Sequence, residues 1–256
     1  MKKFLSIITL VAILSVQAFA CRIVPIIVQP DMVHHRPNLL PIQVKTHHFE
    51  TTIKDTVSTT VLETVFYNPN NMILEGTYLF PLPAGASISQ FSMWIDGKEM
   101  KGELLDSVKA RDLYVSIVRR MIDPGLLEFV GRETFKMSIF PIPAMGDKKV
   151  KLSYQQLLPK DGNLIRYVYP LTTVGNGRED ILGNFSFNVN ISSQIPIKSV
   201  FSPSHKINVN KEENKANVTF TEANARPDKD FTLYTSCSDS KIDLSFVPFA
   251  KEGESG

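Results

Sequence analysis

The sequence predicts a mainly β protein: an antiparallel β-sandwich with one α-helix near 107–121 and a second, C-terminal β region. Three observations predict it. Short runs alternate apolar and polar side chains, which is the period of a strand with one buried face. Asp96-Gly97 stands between two such runs, and Asp-Gly suits the two left-handed positions of a tight hairpin. In one stretch the period changes from 2 to 3.6. Ala110, Leu113, Tyr114, Ile117, Val118 and Met121 fall on one helical face.

The elements follow in order. Residues 1–20 read as a signal peptide: Lys2 and Lys3, an apolar run to Phe19, and Ala18-Phe19-Ala20 as the cleavage site. Residues 21–42 form a lead-in containing Pro25, Pro30, Pro37 and Pro41. The first β-sandwich spans 43–160. Leu62, Thr64 and Phe66 alternate with Val61, Glu63 and Val65 until Asn68-Pro69 turns the chain. Phe91, Met93 and Ile95 alternate before the Asp96-Gly97 hairpin. Asp106 or Ser107 caps the helix, and Pro124 stops it. Strands resume at 126–130 and 133–140, and Pro141 and Pro143 are expected to break the second. Val150, Leu152 and Tyr154 alternate with lysine and serine. The C-terminal β region spans 161–249; Gly175-Asn176-Gly177 reads as a soft boundary between the N-terminal and C-terminal sheets, and beyond it Phe185, Phe187, Val189 and Ile191 alternate. Further strands are expected at 205–210, 216–221, 231–236 and 242–249. Residues 250–256 read as a flexible end.

Charge and cysteine content exclude several classes. Lys and Arg total 28 against 26 Asp and Glu. Lys2 and Lys3 leave with the signal, so the mature chain has no net charge. A nucleic-acid binder should show a basic surplus, and none exists here. Two cysteines are too few for a disulfide scaffold or a multi-cysteine zinc site. Cys21 becomes the first mature residue. It is either an acylated lipoprotein cysteine, the one route to a membrane, or the product of ordinary cleavage. It is also a candidate for a disulfide with Cys237 in an oxidising compartment.

The residues that carry chemistry are sparse. There is no phosphate-binding glycine loop and no H-E-x-x-H. Four of the five histidines are His34, His35, His47 and His48. With Glu50 they are the candidate zinc or copper ligands, although neighbours on a strand point to opposite faces. Glu128 and Glu133 form a carboxylate pair that fits two hairpin arms better than a glycosidase centre. Lys148, Lys149 and Lys151 read as the solvent face of a strand or a basic patch. Asn184, Asn190 and Asn217 begin Asn-x-Ser/Thr sequons. Trp94 lies between the buried-looking Met93 and Ile95, so it is an outward candidate for an interaction site.

Ordered blocks carry a family resemblance. Leu62–Pro69, Leu74–Pro83, Met93–Lys98, Lys109–Tyr114, Asp123–Glu128, Phe135–Pro143 and Val150–Leu157 together resemble the VIT domain, the module of vault protein and inter-alpha-trypsin inhibitor heavy chains. The resemblance covers about residues 43–160. It implies a VIT-type β-sandwich in a secreted, periplasmic or cell-surface protein, with no catalytic residues, no cofactor, and a protein partner or an adjacent von Willebrand type A domain. The D-x-S-x-S metal motif of type A domains is missing here: Asp55-Thr56-Val57-Ser58-Thr59 carries Val57 where the first serine belongs. The expected function is that of a non-catalytic protein-interaction module, the N-terminal part of a VIT plus type A protein. The alternative is a metal-dependent hydrolase using the N-terminal histidines.

Overall fold

The computed structural model describes residues 39–95, 97–102, 126–129, 134–171 and 181–238. The helix expected at 107–121, and with it any test of that element, lies outside these residues, as do 1–38 and the strand expected at 242–249.

Fifteen strands occur among the described residues. Up to the expected soft boundary they are β1 (Gln43–Lys54), β2 (Val57–Tyr67), β3 (Leu74–Pro81), β4 (Ala86–Ile95), β5 (Lys98–Lys101), β6 (Leu126–Phe129), β7 (Thr134–Ile142), β8 (Asp147–Leu157), β9 (Lys160–Asp161) and β10 (Leu164–Tyr169). Beyond it lie β11 (Leu182–Ser192), β12 (Ile197–Phe201), β13 (Asn208–Lys211), β14 (Lys215–Ala225) and β15 (Phe231–Cys237). They build an eight-stranded sheet, order β13-β14-β11-β1-β2-β8-β4-β5, with a four-stranded sheet β12-β15-β10-β9 and a three-stranded sheet β3-β7-β6. The pairing is antiparallel except between β1 and β11, which run parallel at the middle of the large sheet.

Turn chemistry sets the hairpins. Asp55 joins β1 to β2 with φ 52°, and its carboxylate accepts the Gln194 N–H at 2.9 Å. Gly97 joins β4 to β5 with φ 79°, and Ile95 pairs with Lys98 across it. β7 runs through Pro141, where the sequence suggested a break. On the β3 side the register shifts between Leu74, opposite Ile142, and Gly76, opposite Ile139, and a strand tolerates a proline at such an irregularity, where the regular ladder is already interrupted.

The inner face of the large sheet is apolar and aromatic. Phe49 of β1 stacks on Tyr169 of β10, with ring centres 4.0 Å apart, and on Phe187 of β11 at 4.9 Å. Phe187 in turn meets Phe231 of β15 at 4.1 Å. On the β2–β8 side, Phe66 meets Tyr78 and Tyr154 meets Phe80, both tyrosine–phenylalanine contacts to β3. The two smaller sheets therefore cover one face of the large one, and one core runs between the layers.

A polar seam crosses this core. Thr51, Thr60 and Tyr167 form a triangle of hydroxyls at 2.9–3.0 Å. Each is buried, so mutual bonding replaces the water they lose. Burial, the Tyr167 hydroxyl beside it and the low local dielectric raise the Tyr154 phenol well above its ordinary value.

Gly183 marks the parallel junction. A Cβ there would lie 2.5 Å from the Lys45 carbonyl oxygen, a backbone atom that cannot swing aside. Gly183→Ala is expected to destabilise the fold by about 1–3 kcal/mol, the usual range for overpacking. Urea unfolding would show it as a lowered midpoint; an unchanged midpoint would mean that β1 and β11 can separate at this point without cost.

Candidate interaction face

Period-2 alternation that buries Phe49, Leu62, Leu152 and Phe187 turns the intervening residues outward. The outer face of the large sheet is thus polar and half-exposed, and cross-strand register assembles its rows. One row brings Ser186 beside His48, His48 beside Glu63, Glu63 beside Lys151, and Lys151 beside Ser92. His48 Nδ1 lies 2.8 Å from Ser186 Oγ. Lys149 and Lys151 reach the Glu63 carboxylate at 2.7 and 3.5 Å. Partial burial acts against that carboxylate. The hydrogen bond and charge of Lys149, with Lys151 behind it, outweigh burial and hold Glu63 below its ordinary value. Lys45 bonds Asp147 at 2.6 Å farther along the face.

Trp94 stands at the β4–β5 end. Lys149 Nζ sits 4.4 Å from the centre of its ring, so one ammonium serves both Glu63 and the indole. Trp94 is the chain's only tryptophan, which makes its fluorescence a local probe. Lys149→Ala is expected to shift the Trp94 emission while changing stability by about 1 kcal/mol or less, because the pair with Glu63 is still open enough to solvent to be screened and Lys151 remains beside the carboxylate. An unchanged spectrum would show that the ammonium does not sit over the ring in solution.

The other residues singled out in the sequence separate. His47 and His48 point to opposite faces. His47 is buried at 4% exposure, between Thr64 Oγ1 at 3.1 Å and Tyr169 Oη at 2.9 Å. Burial, with a smaller contribution from His48, lowers its pKa to about 4, so the ring is neutral and donates at one nitrogen while accepting at the other. Glu50 is exposed on the outer face, two residues beyond His48. His34, His35 and Cys21 lie outside the described residues. Cys237 closes β15 and is buried. Among the described residues no group of three or more His, Cys, Asp or Glu side chains is placed to hold a metal ion. No described helix is long and apolar enough to cross a membrane.

Two expectations change. Lys148 is not on the solvent face with Lys149 and Lys151; it is buried, because alternation along β8 turns it the other way. Glu128 does lie on one hairpin arm, opposite Lys136. The sequence reading did not single out Glu63 or Asn188, and it marked Asn190 and Asn217 only as sequons, not as one group. Their signal was available: each occupies the polar phase of an alternating strand.

A strand framework with one face sealed by aromatic rings and the other displaying paired charges, carboxamides and an indole defines a β scaffold domain. Residues 44–154 match the model of the vault protein inter-alpha-trypsin domain, and the chain carries a VIT domain over that span. Similar proteins include human protein mono-ADP-ribosyltransferase PARP4, 22% identical over 85% of this chain and 14% of its own length. A von Willebrand factor A domain-containing protein of Dictyostelium discoideum is 27% identical over 68% of this chain and 18% of its own. Bovine inter-alpha-trypsin inhibitor heavy chain H4 is 28% identical over 73% and 20%. The chain spans a fifth or less of the length of these relatives.

Proposed function

We propose that the chain is a secreted or surface-associated, non-catalytic VIT-type interaction module whose partner is a protein, foremost a von Willebrand type A domain. The observation that carries this reading is the outer face of the large sheet. It is broad, nearly charge-compensated and anchored at one end by Trp94. Aromatic side chains with a neighbouring cation are the usual energetic centres of protein interfaces. The occurrence of a von Willebrand A domain in the name of the Dictyostelium relative supports the choice of partner, and the signal-like residues 1–20 support export. The hydrolase alternative is weakened by His47, whose ring nitrogens are both engaged inside the core.

Binding to a purified type A domain, followed by surface plasmon resonance and Trp94 emission, tests this. Saturable binding that Trp94→Ala weakens at least tenfold is expected. Zinc-stimulated cleavage of a peptide, ester or glycoside substrate, lost in His48→Ala, would instead favour the hydrolase.

A further inference from the structure

We propose that the outer face of β11, β14 and β13 holds a binding site for a neutral saccharide. The site lies at the opposite side of the large sheet from Trp94 and goes beyond the protein-interaction reading.

Asparagine is depleted in strands, because its side chain competes for backbone hydrogen bonds. Here it recurs on one face of three adjacent strands. Asn188 and Asn190 lie on β11, Asn217 on β14 and Asn210 on β13; Asn190 pairs with Asn217, and Asn217 with Asn210. Such a concentration in an unfavourable setting points to a use other than strand formation.

The carboxamides are tied together. Asn217 Nδ2 donates to Asn188 Oδ1 at 2.6 Å and to Asn190 Oδ1 at 2.9 Å. That arrangement fixes three side chains and leaves the Nδ2 groups of Asn188 and Asn190 as donors and Asn217 Oδ1 as an acceptor. A groove of about 280 Å³ opens over Asn190 and Asn217, with Asn188 just outside it, and is lined also by Thr52, Asn210, Glu212 and Lys215 among others. It lies near the small end of ligand-site volumes, which suits one or two sugar rings.

The lining selects the ligand class. Glu212 and Lys215 flank the β13–β14 turn with opposite charges, so neither an anion nor a cation is favoured. Carboxamides offer donors and acceptors side by side, the complement of a ring of hydroxyls, each of which donates and accepts. Their rigid mutual bonding orients them before the ligand arrives, which reduces the ordering cost of binding.

The test is nuclear magnetic resonance of the isotopically labelled 256-residue chain, titrated with glucose, mannose, N-acetylglucosamine and chitobiose, with a neutral Gly-Ser peptide as comparison. The expected result is saturable shifts of the Asn188, Asn190 and Asn210 side-chain amides with at least one sugar. Asn217→Ala should weaken that binding at least tenfold. Asn210→Ala, on the four-residue edge strand, provides a second variant with little risk to folding and should weaken it several-fold. No shift with any sugar at 50-fold excess over protein, shifts confined to other surfaces, or shifts with the peptide alone would each overturn the proposal.

Discussion

Phe49→Ala is expected to lower the stability of the chain by about 3–5 kcal/mol, the range for deleting a buried phenylalanine. Phe49 has no exposed surface. Its ring is stacked between Tyr169 and Phe187 at interplanar angles of 16° and 15°, and it also touches Phe185 and Phe231. These neighbours come from β10, β11 and β15, so a single ring ties β1 to the covering sheet and to its parallel partner. The neighbours cannot collapse into the space without bending strands whose hydrogen bonds would then break. Total stabilities of single domains are about 5–15 kcal/mol, so the loss is a large fraction of the whole. Urea denaturation with circular dichroism measures it. A change below about 1 kcal/mol would mean that the two layers are not joined through this ring.

Acid is expected to destabilise the protein from about pH 6.5 downwards, through His47. His47 has a folded pKa of about 4 against an ordinary 6.5. Between those values the unfolded chain takes up a proton that the folded chain refuses. Stability is therefore fully present above about pH 6.5 and falls progressively as the pH drops towards 4. At about 1.4 kcal/mol per tenfold difference in proton affinity, the loss approaches about 3 kcal/mol. Glu63, held below its ordinary 4.5 by the two lysines, extends the decline to lower pH. His47→Gln keeps a neutral hydrogen-bonding side chain at the same place and should flatten the slope between pH 6.5 and 4. If the slope persists in that variant, another group carries it. The tyrosine seam adds the mirror effect. Tyr154 and Tyr167 have raised pKa values through burial, so the stability they lend is present below about pH 10 and is lost above it.

The strand content and the direction of most side chains were legible because period 2 is a local signal. That His47 and His48 face opposite ways follows from it directly, as does the buried phase of β11, and the hairpin at Gly97 was legible from Asp-Gly. The order of the motif blocks carried the family resemblance over nearly the span that the family model matches. What stayed hidden was long-range. Nothing local in Gln43–Lys54 announces that this strand runs beside Leu182–Ser192 in the same direction. The short β10 was passed over, although Ile165, Tyr167 and Tyr169 alternate within it; six residues are a brief signal. Without β10 the partners of His47, Thr51 and Thr60 were missing, so the histidine's environment was not readable. The Glu63 and asparagine groups combine residues from strands distant in sequence, and only the register brings them together.

The parallel β1–β11 pair has a consequence for how the chain is made. β1 emerges from the ribosome more than a hundred residues before its partner, and until then its second edge has no strand to bond. Non-local closure of this kind is slow and leaves sticky edges exposed meanwhile. A shortened chain ending near residue 160 would keep that edge open permanently and would lack the aromatic cover from β10 and β15. Its expected fate is aggregation, visible as a shift from monomer to large species in light scattering. A monomeric, folded fragment would show that the VIT span needs no later residues to complete itself.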